Sequence, residues 1–328
     1  MSDRIVAVLG TGSMGMQYMK VLSQFSGAGA IAVPVRPERI DKLMNEGYRA
    51  VRKLEEACRL GASACIVATD TRRHASDAAC ALDSGMDLLV EKPLAAAVKD
   101  AWTLSQKAKA RGSSLFVSTI LRFSRALEEF RKKLMLLGPL HHVRIECASY
   151  LPEWRPGRDY RETYSARSEE GGVLRDLIHE IDYACWLFGW PESVQAVVNN
   201  SGRLGIDSEE AADLTWKNAG CTVSIHLDYL TKPARRRLAA YGDAGTLHCD
   251  LVSGVVSLDW PNRPAEMMEL PDSRSSLIAS QVRAFMSRST NDCDPRLADG
   301  IQGLKALSIC EAAQRASESR REEPVLYP

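Results

Sequence analysis

The residues Ile5-Val6-Ala7-Val8-Leu9 form an unbroken, β-branched apolar run. Such a run fits a parallel strand buried on both faces, not a half-exposed strand with alternating polarity. A helical stretch follows from Met16 to Phe25, then a strand near Ala30 to Val35. Cys65 to Thr69 reads as a strand, Ala75 to Ser84 as a helix and Asp87 to Val90 as a strand. Val98 to Arg111 is helical, and Ser114 to Thr119 is again strand-like. Strands alternating with helices over short connections predict a doubly wound, right-handed parallel sheet.

Beyond Leu121-Arg122-Phe123 the texture changes. One helix, Ala126 to Leu137, stops at Gly138-Pro139. Strand-like segments then recur: His142–Leu151, Val194–Asn199, Ala211–Trp216, Cys221–Tyr229, Arg237–Tyr241, Gly245–Asp250 and Val255–Asp259. Hairpin turns are predicted at Lys217-Asn218-Ala219-Gly220 and Asp243-Ala244-Gly245. Helices over Ser275–Arg288 and Leu297–Ser319 complete the pattern. We therefore expect an α/β domain over residues 1–122 and an α+β domain, built on a large, mainly antiparallel open sheet, over 123–328. A sheet with helices on one face leaves the other to be covered, so the second domain is expected to make a homodimer or homotetramer.

The length of 328 residues agrees with two domains. Lys+Arg and Asp+Glu balance at 42 each, which argues against general binding to nucleic acid or an anionic membrane. No apolar run approaches the roughly 20 residues needed to span a bilayer. Met1-Ser2-Asp3-Arg4 carries no signal-peptide pattern, and the nine cysteines are scattered without a Cys-x-x-Cys. The expectation is a cytoplasmic protein with reduced, mostly buried thiols.

Two stretches carry chemistry. Gly10-Thr11-Gly12-Ser13-Met14-Gly15 lies between the first strand and its helix, the context a dinucleotide fingerprint requires. Gly10 permits the turn, Gly12 lets a pyrophosphate approach the helix N-terminus, and Gly15 lets helix and strand pack closely. The second strand ends at Arg36, where an acid would hold the ribose hydroxyls of NAD; an arginine suits a 2′-phosphate, so NADP is favoured over NAD. Thr69, Asp70 and His74 follow the third strand, and Glu91-Lys92-Pro93-Leu94 ends the fourth. Ligands of open α/β sheets sit at the carboxyl ends of strands, so these residues join the candidate cofactor contacts, and Lys92 points to the crevice.

The other stretch is Gly171-Gly172-Val173-Leu174-Arg175-Asp176-Leu177-Ile178-His179-Glu180-Ile181-Asp182. On a helix, Leu177, Ile178, Ile181, Ala184, Cys185 and Phe188 form an apolar face, and Asp176, His179, Glu180 and Asp182 lie opposite. The Gly-Gly pair allows backbone to approach a ligand closely, and Asp176 and His179 share one side. Asp176, His179 and Asp182 could also be weighed as metal ligands, but no second His or Cys stands at ligand spacing, and no metal is expected.

Taken in order, Gly10-x-Gly12-x-x-Gly15, Glu91-Lys92-Pro93-Leu94, Leu121-Arg122-Phe123 and Gly171-Gly172…Asp176…His179…Asp182 resemble the Gfo/Idh/MocA oxidoreductases over essentially the whole chain. The resemblance implies an N-terminal Rossmann domain, a C-terminal domain with a large open sheet, and correspondence of Lys92, Asp176 and His179 to the family's lysine, acid and histidine. Many members space acid and histidine by four residues; here they stand three apart. The chemistry expected is hydride exchange between a nicotinamide and a carbinol or keto carbon of a sugar, sugar acid or nucleotide sugar. His179 would be the base, since an imidazole suits neutral pH. Lys92 would stabilise alkoxide charge, and Asp176 would orient the histidine or bind a neighbouring hydroxyl. Arg122 is expected at the cofactor. The loop from Tyr150 to Arg161 offers Trp154, Arg155, Arg158 and Tyr160, with Arg175 nearby, as contacts for an anionic carbohydrate. A non-catalytic nucleotide-binding regulator and a reductase of a non-carbohydrate carbonyl or imine are the alternatives.

Overall fold

The computed structural model describes residues 4–25, 28–288 and 293–328. In chain order its elements begin β1 (Arg4–Leu9), α1 (Ser13–Leu22), β2 (Ala28–Val33), α2 (Ile40–Asn45), α3 (Leu54–Arg59), β3 (Ala62–Val67), α4 (Thr71–Asp83), β4 (Asp87–Val90), α5 (Val98–Arg111) and β5 (Leu115–Val117). There follow α6 (Arg125–Lys133), β6 (Leu140–Ala148), α7 (Val173–Asp176), α8 (Ile178–Phe188), β7 (Ser193–Asn199), β8 (Ala211–Asn218), β9 (Cys221–Asp228), β10 (Arg235–Gly242), β11 (Gly245–Asp250), β12 (Val255–Trp260) and β13 (Arg263–Glu269). The chain closes with α9 (Arg274–Ser287), β14 (Ala298–Asp299), α10 (Gly300–Ser319) and β15 (Glu323–Pro324).

Two compact units result. The first takes Met1–Ile120 together with Ser273–Leu304, and the second takes Leu121–Asp272 with Lys305–Pro328. The pattern of the sequence had assigned everything after residue 122 to one domain; α9 and β14 instead group with the first unit. The reason is packing: α9 lies against α1, and β14 adds an antiparallel edge beside β5. A capping box between Ser273 and Ser276 starts α9.

In the first unit the sheet order is β14-β5-β4-β3-β1-β2, with β1 to β5 all parallel. The first half of the chain thus builds the doubly wound sheet expected of it. Val6, Ala7, Val8, Cys65, Ile66, Val67, Leu88, Leu89 and Val90 are wholly buried, as strands covered on both faces require.

The second unit carries a nine-stranded sheet in the order β13-β12-β11-β10-β6-β9-β8-β7-β15. Among its pairings β6–β9 is parallel, and the other described pairings are antiparallel. One face is apolar: Val143, Ile145, Val223, Ile225, Leu238, Leu247, Val256 and Leu258 are buried. The hairpin β8–β9 turns through Ala219 and Gly220, both at positive φ (48° and 84°), the two-residue geometry that matches strand twist. β13 was not anticipated. Its seven residues are all exposed and include Pro264, so no alternation marks them.

Candidate functional site

In the first unit the candidate contacts line the carboxyl edge of the parallel sheet. Leaving β1, Gly10 has φ of +92° and donates its N–H to the Val33 carbonyl of β2 at 2.9 Å. A Cβ on Gly15 would lie 1.9 Å from the Gly10 carbonyl oxygen, so only glycine lets α1 pack on this turn. Gly12 differs: a Cβ there would meet nothing within 4 Å. Gly12 is the N-cap of α1, no side chain caps the helix, and no acid occupies its first turn. Free N–H groups at a helix start attract anions. Thr11 is buried, Ser13 exposed and Met14 half-buried around them.

Across the same edge, Thr69 follows β3. Its Oγ1 is shielded from solvent and has no hydrogen-bond partner among the described residues. A bare hydroxyl beside a glycine turn, open space over Gly12 and an uncapped helix fit a dinucleotide. Asp70 caps α4 by backbone position alone, with no side-chain hydrogen bond. Arg36 is exposed just past β2, in extended backbone (φ −102°, ψ 108°).

Two expected cofactor contacts are placed as struts. His74 is only 1% exposed; its Nδ1 lies 2.7 Å from the Pro93 carbonyl and its Nε2 3.0 Å from the Thr69 carbonyl. The imidazole ties the turn after β4 to the turn after β3. Glu91 is buried and accepts from the Tyr18 hydroxyl at 2.5 Å. That hydroxyl also meets Ser118 Oγ at 2.8 Å, and Ser118 donates to Gln281 Oε1 on α9 at 3.1 Å. Burial, reinforced by the Glu91 charge, pushes the Tyr18 phenol well above its usual range, so it stays a donor. This network anchors the turn that carries half-buried Lys92, whose peptide bond to Pro93 is cis.

In the second unit the Gly-Gly stretch is not one helix. α7 ends at Asp176, Leu177 leaves helical geometry (φ −99°, ψ 26°), and α8 restarts at Ile178. The glycines admit the chain itself rather than a ligand. A Cβ on Gly171 would stand 2.2 Å from the Tyr164 carbonyl and 2.5 Å from that of Ser165. Gly172, at φ +82°, would collide with the Glu209 carboxyl at 2.2 Å. The segment brought in this way cages Asp176. Its carboxylate accepts from Tyr164 Oη at 2.7 Å, Ser165 Oγ at 2.6 Å and Tyr229 Oη at 3.1 Å. Beside it, burial raises the Glu209 carboxyl above its usual range, and Asp176 adds to the rise. Tyr164, Ser165, Tyr229 and Glu209 were not anticipated. Tyr164 and Ser165 are 12 and 11 residues from Asp176 in sequence and Tyr229 is 53, beyond any helical period.

The polar side of this stretch also separates. Glu180 is wholly buried and paired with Arg236 Nε at 2.8 Å. Burial pushes its carboxyl up, and the guanidinium opposes the shift. Asp182 takes two edges of Arg122, at 2.9 Å and 2.6 Å, and the Arg122 side chain is 0% exposed. Arg122, expected at a cofactor, thus has two nitrogens committed to an interior ion pair, with Trp186 under its plane at 5.6 Å. His179 is half-buried in the first turn of α8.

The loop residues divide similarly. Trp154 donates Nε1–H to Ser149 Oγ at 2.9 Å and sets its ring edge-on to Tyr229 at 5.3 Å. Tyr160 donates to the Leu204 carbonyl at 2.9 Å. Arg155 lies over the Tyr164 ring at 5.2 Å. Arg158 is exposed and Arg175 half-buried. Trp154 and Arg155 therefore pack against the two tyrosines that hold Asp176.

With this geometry in view, family models decide the affiliation. Residues 4–119 match the oxidoreductase family's NAD-binding Rossmann fold, and residues 135–248 match the GFO/IDH/MocA C-terminal domain. The chain belongs to the GFO/IDH/MocA oxidoreductase family. It is 25% identical over 334 residues to myo-inositol dehydrogenase Hyg17 of Streptomyces leeuwenhoekii, covering 96% of this chain and 97% of that one. An oxidoreductase from Agrobacterium radiobacter, solved with NAD+, L-tartaric acid and magnesium, superposes with a TM-score of 0.86 at 18% identity, covering 99% of both chains. The WlbA dehydrogenase from Bordetella pertussis, solved with NADH and UDP-GlcNAcA, gives 0.83 at 21% identity over the full length of both. These structural likenesses are likenesses of fold.

Proposed function

We propose that this member of the family is an NAD(P)-dependent dehydrogenase that oxidises a carbinol carbon of a carbohydrate or polyol, or reduces the matching ketone. What carries the reading is the open, uncapped start of α1 over Gly12, on the sheet edge where half-buried Lys92 also stands. A nicotinamide bound there supplies or accepts the hydride. Gly10, Thr11, Gly12, Ser13, Met14, Thr69 and Asp70 line the cofactor's side, and exposed Arg36 favours NADP through its 2′-phosphate. His179 serves as the base for the hydroxyl proton, and Lys92 stabilises developing alkoxide charge. Asp176, held by three hydroxyl donors, orients His179 or binds a neighbouring substrate hydroxyl.

Arg158 and Arg175 are the loop cations proposed for an anionic substrate such as a sugar acid or nucleotide sugar. The sheet face away from the apolar core, with His226, Arg237 and Asp250 exposed or half-buried, is proposed as the homo-oligomer interface. The test is fluorescence titration with NADH and NADPH, then turnover on polyols, sugar acids and nucleotide sugars. Lys92→Ala and His179→Ala should each cut turnover at least ~10²-fold with cofactor affinity retained. Near-normal turnover in either variant sinks the assignment.

A further inference from the structure

Arg274 lies far down the chain from the fingerprint, yet it belongs to the same compact unit. It is the first residue of α9, and its Nη2 rests 2.9 Å from the sulfur of Met14, 260 residues away in sequence. Met14 is the second residue of α1, two residues after Gly12 with its open space. The side chain of Arg274 is exposed. Among the described residues no carboxylate lies within ion-pair range of it; a neutral thioether is its hydrogen-bond acceptor.

This placement is electrostatically unfavourable as it stands. Helix N-termini carry partial positive charge, so a cation there is repelled. Arg274 sits at the N-terminus of its own helix and beside that of α1, and neither helix has an acid in its first turn. Three sources of positive potential therefore meet with no ion-pair partner for Arg274 among the described residues and no acid in the first turn of either helix. An anion over Gly12 reverses the sign of all three interactions at once. Guanidinium geometry suits phosphate oxygens in particular.

We infer that Arg274 is a cofactor-binding residue, contributed by the returning segment, that pairs with the pyrophosphate of the dinucleotide. The inference rests on the dinucleotide reading of the Gly10–Gly15 turn and adds to it a contact that no glycine motif contains. Met14 serves as the apolar shelf that holds the guanidinium in reach.

Calorimetric titration of the whole protein with ADP-ribose, which has the pyrophosphate and lacks the nicotinamide, tests this directly. Arg274→Ala should weaken ADP-ribose binding about tenfold, as loss of a charge-assisted hydrogen bond does, and Arg274→Lys should recover part of it. Binding by the wild type should fall with added salt more steeply than binding by the alanine variant. The ligand-free alanine variant should melt no lower than the wild type, because an unbalanced cation has been removed. ADP-ribose affinity within about twofold of wild type, or a lowered melting temperature without ligand, overturns the assignment. Failure of the wild type itself to bind NADH, NADPH and ADP-ribose would instead overturn the dinucleotide reading.

Discussion

The two glycine-rich stretches of this chain look alike in sequence and do opposite work. Over Gly12 there is room that the protein does not fill, and the helix behind it is left without a cap. Around Gly171 and Gly172 there is no room at all: the carbonyls of Tyr164 and Ser165 and the carboxyl of Glu209 occupy the space a side chain would need. In the first stretch Gly10 and Gly15 serve close packing and Gly12 alone leaves space open, whereas in the second both glycines make way for the protein's own chain. The same contrast runs through the charged residues. Lys92 and Arg36 remain half-buried or exposed at a sheet edge, whereas Glu180 and Asp182 are buried against arginines. A glycine or a carboxylate in a motif therefore marks close packing first, and only the neighbouring atoms say whether the partner is a ligand.

That contrast can be broken experimentally. The largest effect is expected from Arg122→Ala, which strands Asp182 in the interior. Removing one partner of a buried ion pair costs about 3–5 kcal/mol, so denaturant unfolding should show a loss of that order. A loss below about 1 kcal/mol would mean that the pair is effectively solvated. Next come the two glycines, tested against each other. Gly12→Val should leave the melting temperature unchanged and raise the Kd for NADH by roughly 10²-fold, because the side chain fills only the ligand's space. Gly172→Ala should do the reverse. It forces a side chain to φ +82° against Glu209 and should cost about 1–3 kcal/mol of stability, with NADH affinity retained. If Gly12→Val destabilises and Gly172→Ala does not, the distinction between the two stretches collapses.

Much of this was legible in the sequence, for physical reasons that differ by element. β4 and α5 fall on Asp87–Val90 and Val98–Arg111 as expected, because an apolar run ending at a proline and an amphipathic stretch ending at Gly112 are local signals. The parallel sheet follows from the same alternation. What was hidden depends on partners remote in sequence. A helical period placed Asp176, Glu180 and Asp182 on one polar side, but it cannot reveal Tyr229, Arg236 and Arg122, which lie 53, 56 and 60 residues from them. The break at Leu177 was equally invisible, since no proline or glycine marks it. Arg274 is the extreme case. Nothing near it resembles a binding motif, and only the packing of α9 on α1 brings it to Met14.

The smallest effect tests whether the second unit uses its charges internally even where solvent reaches them. On β9, His226 places Nδ1 2.8 Å from Asp213 on β8 and Nε2 3.0 Å from Asp228 on its own strand. The hydrogen bond to Asp228 leads in raising the imidazole to a pKa of about 9, against some desolvation and with help from Asp213. Burial pulls the Asp228 carboxyl upward, but hydrogen bonds from His226, Thr231 and the Leu230 and Thr231 amides outweigh it and hold it at about 2. A histidine whose folded value exceeds its unfolded value near 6.5 stabilises the fold fully below that pH. The contribution fades as pH rises through about 9, where the folded imidazole loses its proton. In the single chain the side chain is 41% exposed, so in the unassembled protein the effect should stay within the range of surface pairs, under about 1 kcal/mol. His226→Gln should accordingly lower the melting temperature slightly at pH 6 and leave it unchanged at pH 10. An equal loss at both values would show that the ring matters by packing alone, and that on this face the charges are not tied to one another as Arg122 and Asp182 are inside.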